Sequence, residues 1–213
     1  MKCVLFFTVL GLFTSNVWAQ STVEKSKYCE DVVKHLKSTD VFYDFKHTTL
    51  KSEDTITDFL KQSNKLKISG TVFKADGVTP AENIILFFQQ ANSEGYYTLI
   101  ADTNGEHLQH RAWVKTDNNG RYTIYTFMPG ATNKPLTYPH EPQAIHMHVA
   151  IKEPGKTPYN IPSFLFNTDP NLTTSCIKRL TRKDADAVLQ VTQGVSILET
   201  TKNIVLKATE NNS

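Results

Sequence analysis

From Leu66 onward the chain is cut into short runs rich in β-branched and aromatic residues, separated at close intervals by Gly, Pro, Asn and Asp. Such runs are too short for helices with a continuous apolar stripe, and they alternate in the way half-buried strands require. They fall at residues 67–73, 84–89, 96–100, 112–115, 121–127, 144–152, 163–166, 188–191 and 203–207. The pattern predicts an all-β fold, a two-layer antiparallel β-sandwich. No Gly-rich phosphate loop follows any run, which argues against a dinucleotide-binding α/β fold. Asn119-Gly120, after Thr116-Asp117-Asn118, predicts a tight hairpin turn between the runs at 112–115 and 121–127, because Asn and Gly accept positive φ.

The N-terminal third reads differently. Met1-Lys2 precedes an apolar run from Val4 to Phe13, and Val17-Trp18-Ala19 offers the small and aliphatic residues of a cleavage site. Residues 1–19 are thus expected to be a secretory signal peptide cut after Ala19, giving a secreted or periplasmic protein without a membrane span. Residues 20–65 are expected to form an N-terminal arm with short helices. Tyr28, Val32, Val33 and Leu36 recur at helical spacing, and a further turn is expected near Ile56, Phe59 and Leu60. Residues 66–208 form the sandwich, with a brief helix expected within 179–187, and residues 209–213 a disordered tail. Cleavage would leave two cysteines, Cys29 and Cys176, for which export predicts a disulfide. A net charge of +2 with interspersed signs gives no basic stripe for nucleic acid.

Within the run at 144–152, alternation puts Ile145, Met147, Val149 and Ile151 on one face and Ala144, His146, His148 and Ala150 on the other. Two imidazoles at i and i+2 on a strand can share one metal ion, and the same pair also fits an ordinary half-exposed strand face. Tyr138 lies upstream in Tyr138-Pro139-His140-Glu141-Pro142, where two prolines stiffen the approach.

These pieces stand in a particular order. Lys67-Ile68-Ser69-Gly70-Thr71-Val72 is followed by Gln90-Ala91-Asn92-Ser93-Glu94-Gly95-Tyr96-Tyr97, Lys115-Thr116-Asp117-Asn118-Asn119-Gly120-Arg121-Tyr122, Pro129-Gly130, Tyr138-Pro139 and His146-Met147-His148. In that order and spacing the chain resembles the intradiol ring-cleavage dioxygenases over roughly Leu66 to Thr173. The resemblance implies one non-haem ferric ion, Fe(III), per chain, held by Tyr97, Tyr138, His146 and His148; a slip of one residue would put Tyr96 in the place of Tyr97. It further implies a small aromatic diol and O2 as substrates, cleavage of a catechol between its hydroxyl-bearing carbons to a muconate-type diacid, and a catalytic role for Tyr138 as a ligand that leaves and takes a substrate proton. A phenol with a solution pKa of about 10 becomes an anionic ligand at neutral pH beside a strong Lewis acid, whereas zinc sites use chiefly Cys, His and carboxylate.

Two positions depart from the family pattern. Gln143 stands three residues before His146, where many members have Arg, and Ser163 stands where a Gln is expected. Both, with His140, are expected to border the substrate pocket. Arg111 could supply the missing cation but sits beside Trp113, where a structural role is expected. His107 and His110 are expected at the solvated surface. Two other readings fit the residues: a noncatalytic secreted transthyretin-like binding module, and a copper or zinc enzyme using the two histidines.

Overall fold

The computed structural model describes residues 49–102, 105–132, 143–182 and 184–208. The expected signal peptide, the first arm helix, Cys29, Tyr138, His140 and the tail lie outside these residues. In chain order the elements are β1 (Glu53–Thr55), β2 (Lys65–Phe73), β3 (Ile85–Gln90), β4 (Leu99–Asp102), β5 (Gly105–Leu108), β6 (Arg111–Lys115), β7 (Arg121–Phe127), β8 (His146–Lys152), β9 (Tyr159–Phe166), α1 (Thr174–Thr181), β10 (Val188–Leu189), β11 (Thr192–Gln193), β12 (Leu198–Thr201) and β13 (Ile204–Val205).

One sheet has the order β1-β7-β2-β12-β11, with β13 also paired to β2, and the other has the order β10-β9-β8-β3-β6. β4 and β5 pair with each other. The central pairs are antiparallel, as expected. The peripheral strands β1, β10, β12 and β13 run parallel to their neighbours.

Alternation along each strand explains the two layers. Leu66, Ile68 and Val72 of β2 and Tyr122 and Ile124 of β7 meet Leu86 and Phe88 of β3, Val114 of β6, Met147, Val149 and Ile151 of β8, and Phe164 and Phe166 of β9 in one core. Burying each large apolar side chain contributes about 1.5–3 kcal/mol, which sets which face turns inward. The outer face of the second sheet therefore carries His146, His148 and Ala150 of β8 and Ile85, Phe87 and Gln89 of β3, the other half of each alternation.

Two expectations are corrected, and the segment ahead of Leu66 adds a strand. The turn at Asp117–Gly120 forms, with Asp117 Oδ1 accepting from the backbone N–H groups of Asn119 and Arg121 at 2.9 and 2.8 Å. The strands it joins belong to opposite sheets, however, and do not pair as a hairpin. Periodicity shows that both strands bury alternate residues, and it cannot show from which side of the core.

Among the described residues before Leu66, the turn expected near Phe59 forms as a 3₁₀ turn, and a strand precedes it. Glu53–Thr55 pairs in parallel with β7, and Phe59–Lys61 makes the 3₁₀ turn. Ile56 is buried in the core, and Phe59 meets Tyr125 edge-on at 5.9 Å. Lys51 O accepts from Lys115 N at 2.8 Å and Asp54 Oδ2 accepts from Trp113 N at 3.1 Å, so this segment caps the outer edge of β6 while β1 extends the other sheet. Covering an edge in this way removes a template for strand addition.

The helix lies at Thr174–Thr181 rather than 179–187. Thr173 is its N-cap, accepting from Cys176 N at 3.3 Å. No helix of the described residues is long and apolar enough to cross a membrane.

Candidate metal centre

His146 and His148 stand on the outer face of β8, with their Nε2 atoms 3.2 Å apart and their rings nearly perpendicular. The strand enters from Ile145, whose N–H donates to the buried carboxylate of Asp169 at 2.6 Å, a contact that fixes where the histidine face begins. Next to His148 the ladder is irregular. Met147 faces Phe164 and Val149 faces Ile161, so Pro162 and Ser163 together oppose the single residue His148. Such a bulge redirects a side chain and is a place in a ladder where Pro is tolerated. Here it brings Ser163 Oγ to 3.2 Å from His148 Nδ1.

Tyr97 arrives from the β3–β4 connection. Asn92 organises that loop: its Oδ1 accepts from Glu94 N and Tyr96 N at 3.0 and 2.9 Å, and its carbonyl accepts from Gly95 N and Gly130 N at 3.1 and 2.8 Å. Gly95 has φ +88°, and a Cβ there would lie 2.1 Å from Ala131 O; a Cβ on Gly130 would lie 2.3 Å from Gly95 N. Two backbones thus touch where neither can carry a side chain. The Tyr97 hydroxyl lies 3.4 Å from His146 Nε2, whereas Tyr96 is 37% exposed. Neighbours on an extended segment face opposite ways, and of the two tyrosines it is Tyr97 that meets the histidines.

Hydrogen bonding sets the tautomers. His146 Nδ1 lies 2.7 Å from Ala144 O, which can only accept, so Nδ1 carries a proton and Nε2 is the nitrogen left to bind a metal. Ser163 can accept from or donate to His148 Nδ1 and so supports either tautomer of that ring. Desolvation, and secondarily the neighbouring His146, lower the pKa of His148 to about 4. A neutral imidazole is the form that binds a metal.

Donors bound to a single ion at about 2.0–2.2 Å stand roughly 2.8–3.8 Å apart at angles of about 90–120°. The separations of 3.2 and 3.4 Å between the successive donors His148 Nε2, His146 Nε2 and Tyr97 OH fall in that range. The residues present therefore fit a metal ion with mixed imidazole and phenolate ligands. Among the described residues no group of three or more His, Cys, Asp or Glu side chains could hold a metal ion, and this cluster joins two imidazoles with a phenol instead.

Other expected residues fall elsewhere. Gln143 N donates to Thr132 O at 2.6 Å, and its side-chain Oε1 accepts from Thr132 Oγ1 at 3.0 Å, so Gln143 is engaged at the flanks of the segment that carries Tyr138. Arg111 lies 4.9 Å from the Trp113 ring. His107 and His110 are buried, not solvated. β5 and the connection to β6 turn them inward, and His110 packs edge-on against Phe127 at 5.2 Å. Cys176 is half-buried on α1 with a free thiol, and its expected partner Cys29 lies outside the described residues.

Asp169 and Gln89 also shape the site, and the sequence does not single them out. Gln89 becomes a neighbour of His148 only through strand pairing.

Known proteins agree with this architecture. The dioxygenase domain of a dioxygenase carbohydrate-binding protein fusion from Streptomyces sp. SirexAA-E is 22% identical with a TM-score of 0.52, the match covering 75% of this chain and 88% of that one. Catechol 1,2-dioxygenase from Pseudomonas arvilla C-1 is 18% identical with a TM-score of 0.59, covering 76% of this chain and 58% of that one. For chlorocatechol 1,2-dioxygenase from Pseudomonas putida the values are 18%, 0.54, 76% and 68%. This chain thus spans less than two thirds of the Pseudomonas arvilla enzyme. Among curated proteins nothing matches the chain. The family model described as Dioxygenase matches residues 42–208, most of the sequence, and the chain belongs to the intradiol ring-cleavage dioxygenase family.

Proposed function

We propose that this protein is a non-haem ferric dioxygenase that cleaves an aromatic diol between its two hydroxyl-bearing carbons. One O2 is consumed, and both of its oxygens enter a muconate-type diacid. The observation that carries this reading is the convergence of Tyr97 OH, His146 Nε2 and His148 Nε2 on one face of the sandwich. Tyr138 completes the proposed ligand set, with one iron per chain.

When bound, Fe(III) supplies the Lewis acidity that keeps phenolic oxygens anionic at neutral pH. The protein's residues provide the rest. Ala144 O holds the His146 proton on Nδ1, leaving Nε2 to coordinate, and Ser163 does the same for His148 by accepting at Oγ. Tyr97 contributes its phenolate, fixed by the Asn92 turn. Tyr138 takes a proton from the diol at its phenolate oxygen. The same reading includes export with cleavage after Ala19, which N-terminal sequencing of the mature protein tests.

The direct experiment is to load the protein with ferric iron and record its visible spectrum, then measure oxygen uptake with catechol. A tyrosinate-to-iron band, about one iron per chain and uptake of one O2 per diol are expected. A protein that stays colourless with iron supplied refutes the reading. The engagement of Gln143 by Thr132 favours a second reading, a metal-binding sandwich without turnover. It predicts the coloured protein and no oxygen uptake.

A further inference from the structure

Gln89 sits on β3 directly opposite His148 on β8, and opposite Arg111 on β6. Residues paired in this way point to the same face with Cβ atoms about 4.5–5.5 Å apart. The row across the outer face of the sheet is thus Ser163, His148, Gln89 and Arg111, and Gln89 flanks His148 on the side away from Ser163. Its Oε1 atom is buried and has no hydrogen-bond partner. The adjacent Gln90 differs: it points into the core, donates to Phe127 O at 3.0 Å and accepts from Thr126 Oγ1 at 2.7 Å. Leaving a buried carboxamide atom unpaired is unfavourable, and a strand position beside two apolar outer-face residues, Ile85 and Phe87, could carry an apolar side chain instead.

We propose that Gln89 is a specificity-determining residue whose carboxamide binds a further hydroxyl group on the aromatic ring, so that the preferred substrate is a trihydroxylated ring with three adjacent hydroxyls. This rests on the dioxygenase reading above. A diol held through both oxygens at the Tyr97, His146 and His148 cluster has given up the protons of those two hydroxyls. The hydrogen that satisfies Gln89 must then come from another substituent on the ring, on the β3 side. A hydroxyl both donates and accepts, so it satisfies the buried atom whichever way the amide is turned, and a methyl group of similar size does neither. A pocket built around a buried polar group discriminates against the analogue that leaves the group unpaired.

The test is an anaerobic spectral titration of the full-length, iron-loaded protein with 1,2,3-trihydroxybenzene and with 3-methylcatechol. Wild-type protein is expected to bind the triol about tenfold more tightly, the effect of one buried hydrogen bond. Gln89→Met, close in shape, is expected to bring the two affinities together while iron content stays unchanged; Gln89→Asn provides a second variant that keeps the amide. Equal affinities in the wild type overturn the proposal without reference to any variant's folding. A triol preference that persists in a folded Gln89→Met protein removes the assignment to Gln89. If neither compound alters the spectrum of iron-loaded wild type, the dioxygenase reading fails and the proposal falls with it, a result distinct from equal binding.

Discussion

Ser163 Oγ lies 3.2 Å from His148 Nδ1 because the β9 strand carries one extra residue opposite His148. The hydroxyl holds the imidazole from behind, the position from which a hydrogen bond orients a metal-binding histidine. Replacing such a group weakens metal affinity by about 10–100-fold. Ser163→Ala is therefore expected to bind ferric iron more weakly by that factor, and Ser163→Thr to retain most of the affinity. Competition with a chelator of known strength measures it, and equal affinities for wild type and Ser163→Ala would show that the contact does not orient His148.

Tyr97 and Tyr96 are adjacent, yet only Tyr97 has its hydroxyl 3.4 Å from His146 Nε2. Tyr97→Phe is expected to remove or strongly shift the visible band of the iron-loaded protein, whereas Tyr96→Phe leaves it in place. Both variants keep the aromatic ring, so packing is little changed. Spectra of the two iron-loaded variants at matched concentration decide the matter, and loss of the band in Tyr96→Phe alone would reverse the assignment.

Much of this site was legible in the sequence because one strand wrote it. Alternation alone put His146 and His148 on one face and the apolar Met147 and Val149 on the other, and the run from Gln90 to Tyr97 entered through the family resemblance. What stayed hidden depends on contacts between distant segments. Asp169 clamps Ile145 from the far end of β9, and Gln89 meets His148 only once β3 has found β8. The Asp117–Gly120 turn was readable as a turn, but its sheet crossing was not, since inward alternation looks the same from either layer. His107 and His110 were misplaced for a related reason. A histidine can be buried when its apolar edges pack, as His110 packs on Phe127, and composition carries no sign of it.

Gly95 combines φ +88° with a Cβ position 2.1 Å from Ala131 O. Gly95→Ala must both enter a disfavoured backbone region, at about 1–3 kcal/mol, and push two loops apart. Gly77 has a similar φ of +75° with nothing within 4 Å of its Cβ position. Gly77→Ala is thus expected to cost about 1 kcal/mol from conformation alone, and Gly95→Ala at least about twice that. Urea midpoints of both variants test the difference, and Gly95→Ala alone should also reduce iron binding, because the loop it forces aside carries Tyr97.

His110 gives the fold a dependence on pH that is separate from the candidate metal centre. Its ring is buried, Nδ1 has no hydrogen-bond partner, and Asp58 Oδ2 stands 3.7 Å from Nε2. Burial lowers its pKa from 6.5, against an opposing pull from Asp58. The unfolded chain therefore takes up this proton more readily than the folded one, so the stability contribution is complete above about pH 6.5 and is lost as pH falls through the interval below it. His148, lowered to about 4, acts in the same direction in metal-free protein, so wild type alone cannot separate the two. Asp58 does not confuse the comparison, since its own pKa is lowered from 3.8, chiefly by its hydrogen bond to Lys61, and it titrates at lower pH. Urea unfolding of metal-free wild type and His110→Leu at about pH 7.5 and pH 5 isolates the term. Wild type is expected to lose more stability than the variant between these values; equal losses would mean that His110 takes up its proton in the folded protein as easily as in the unfolded chain.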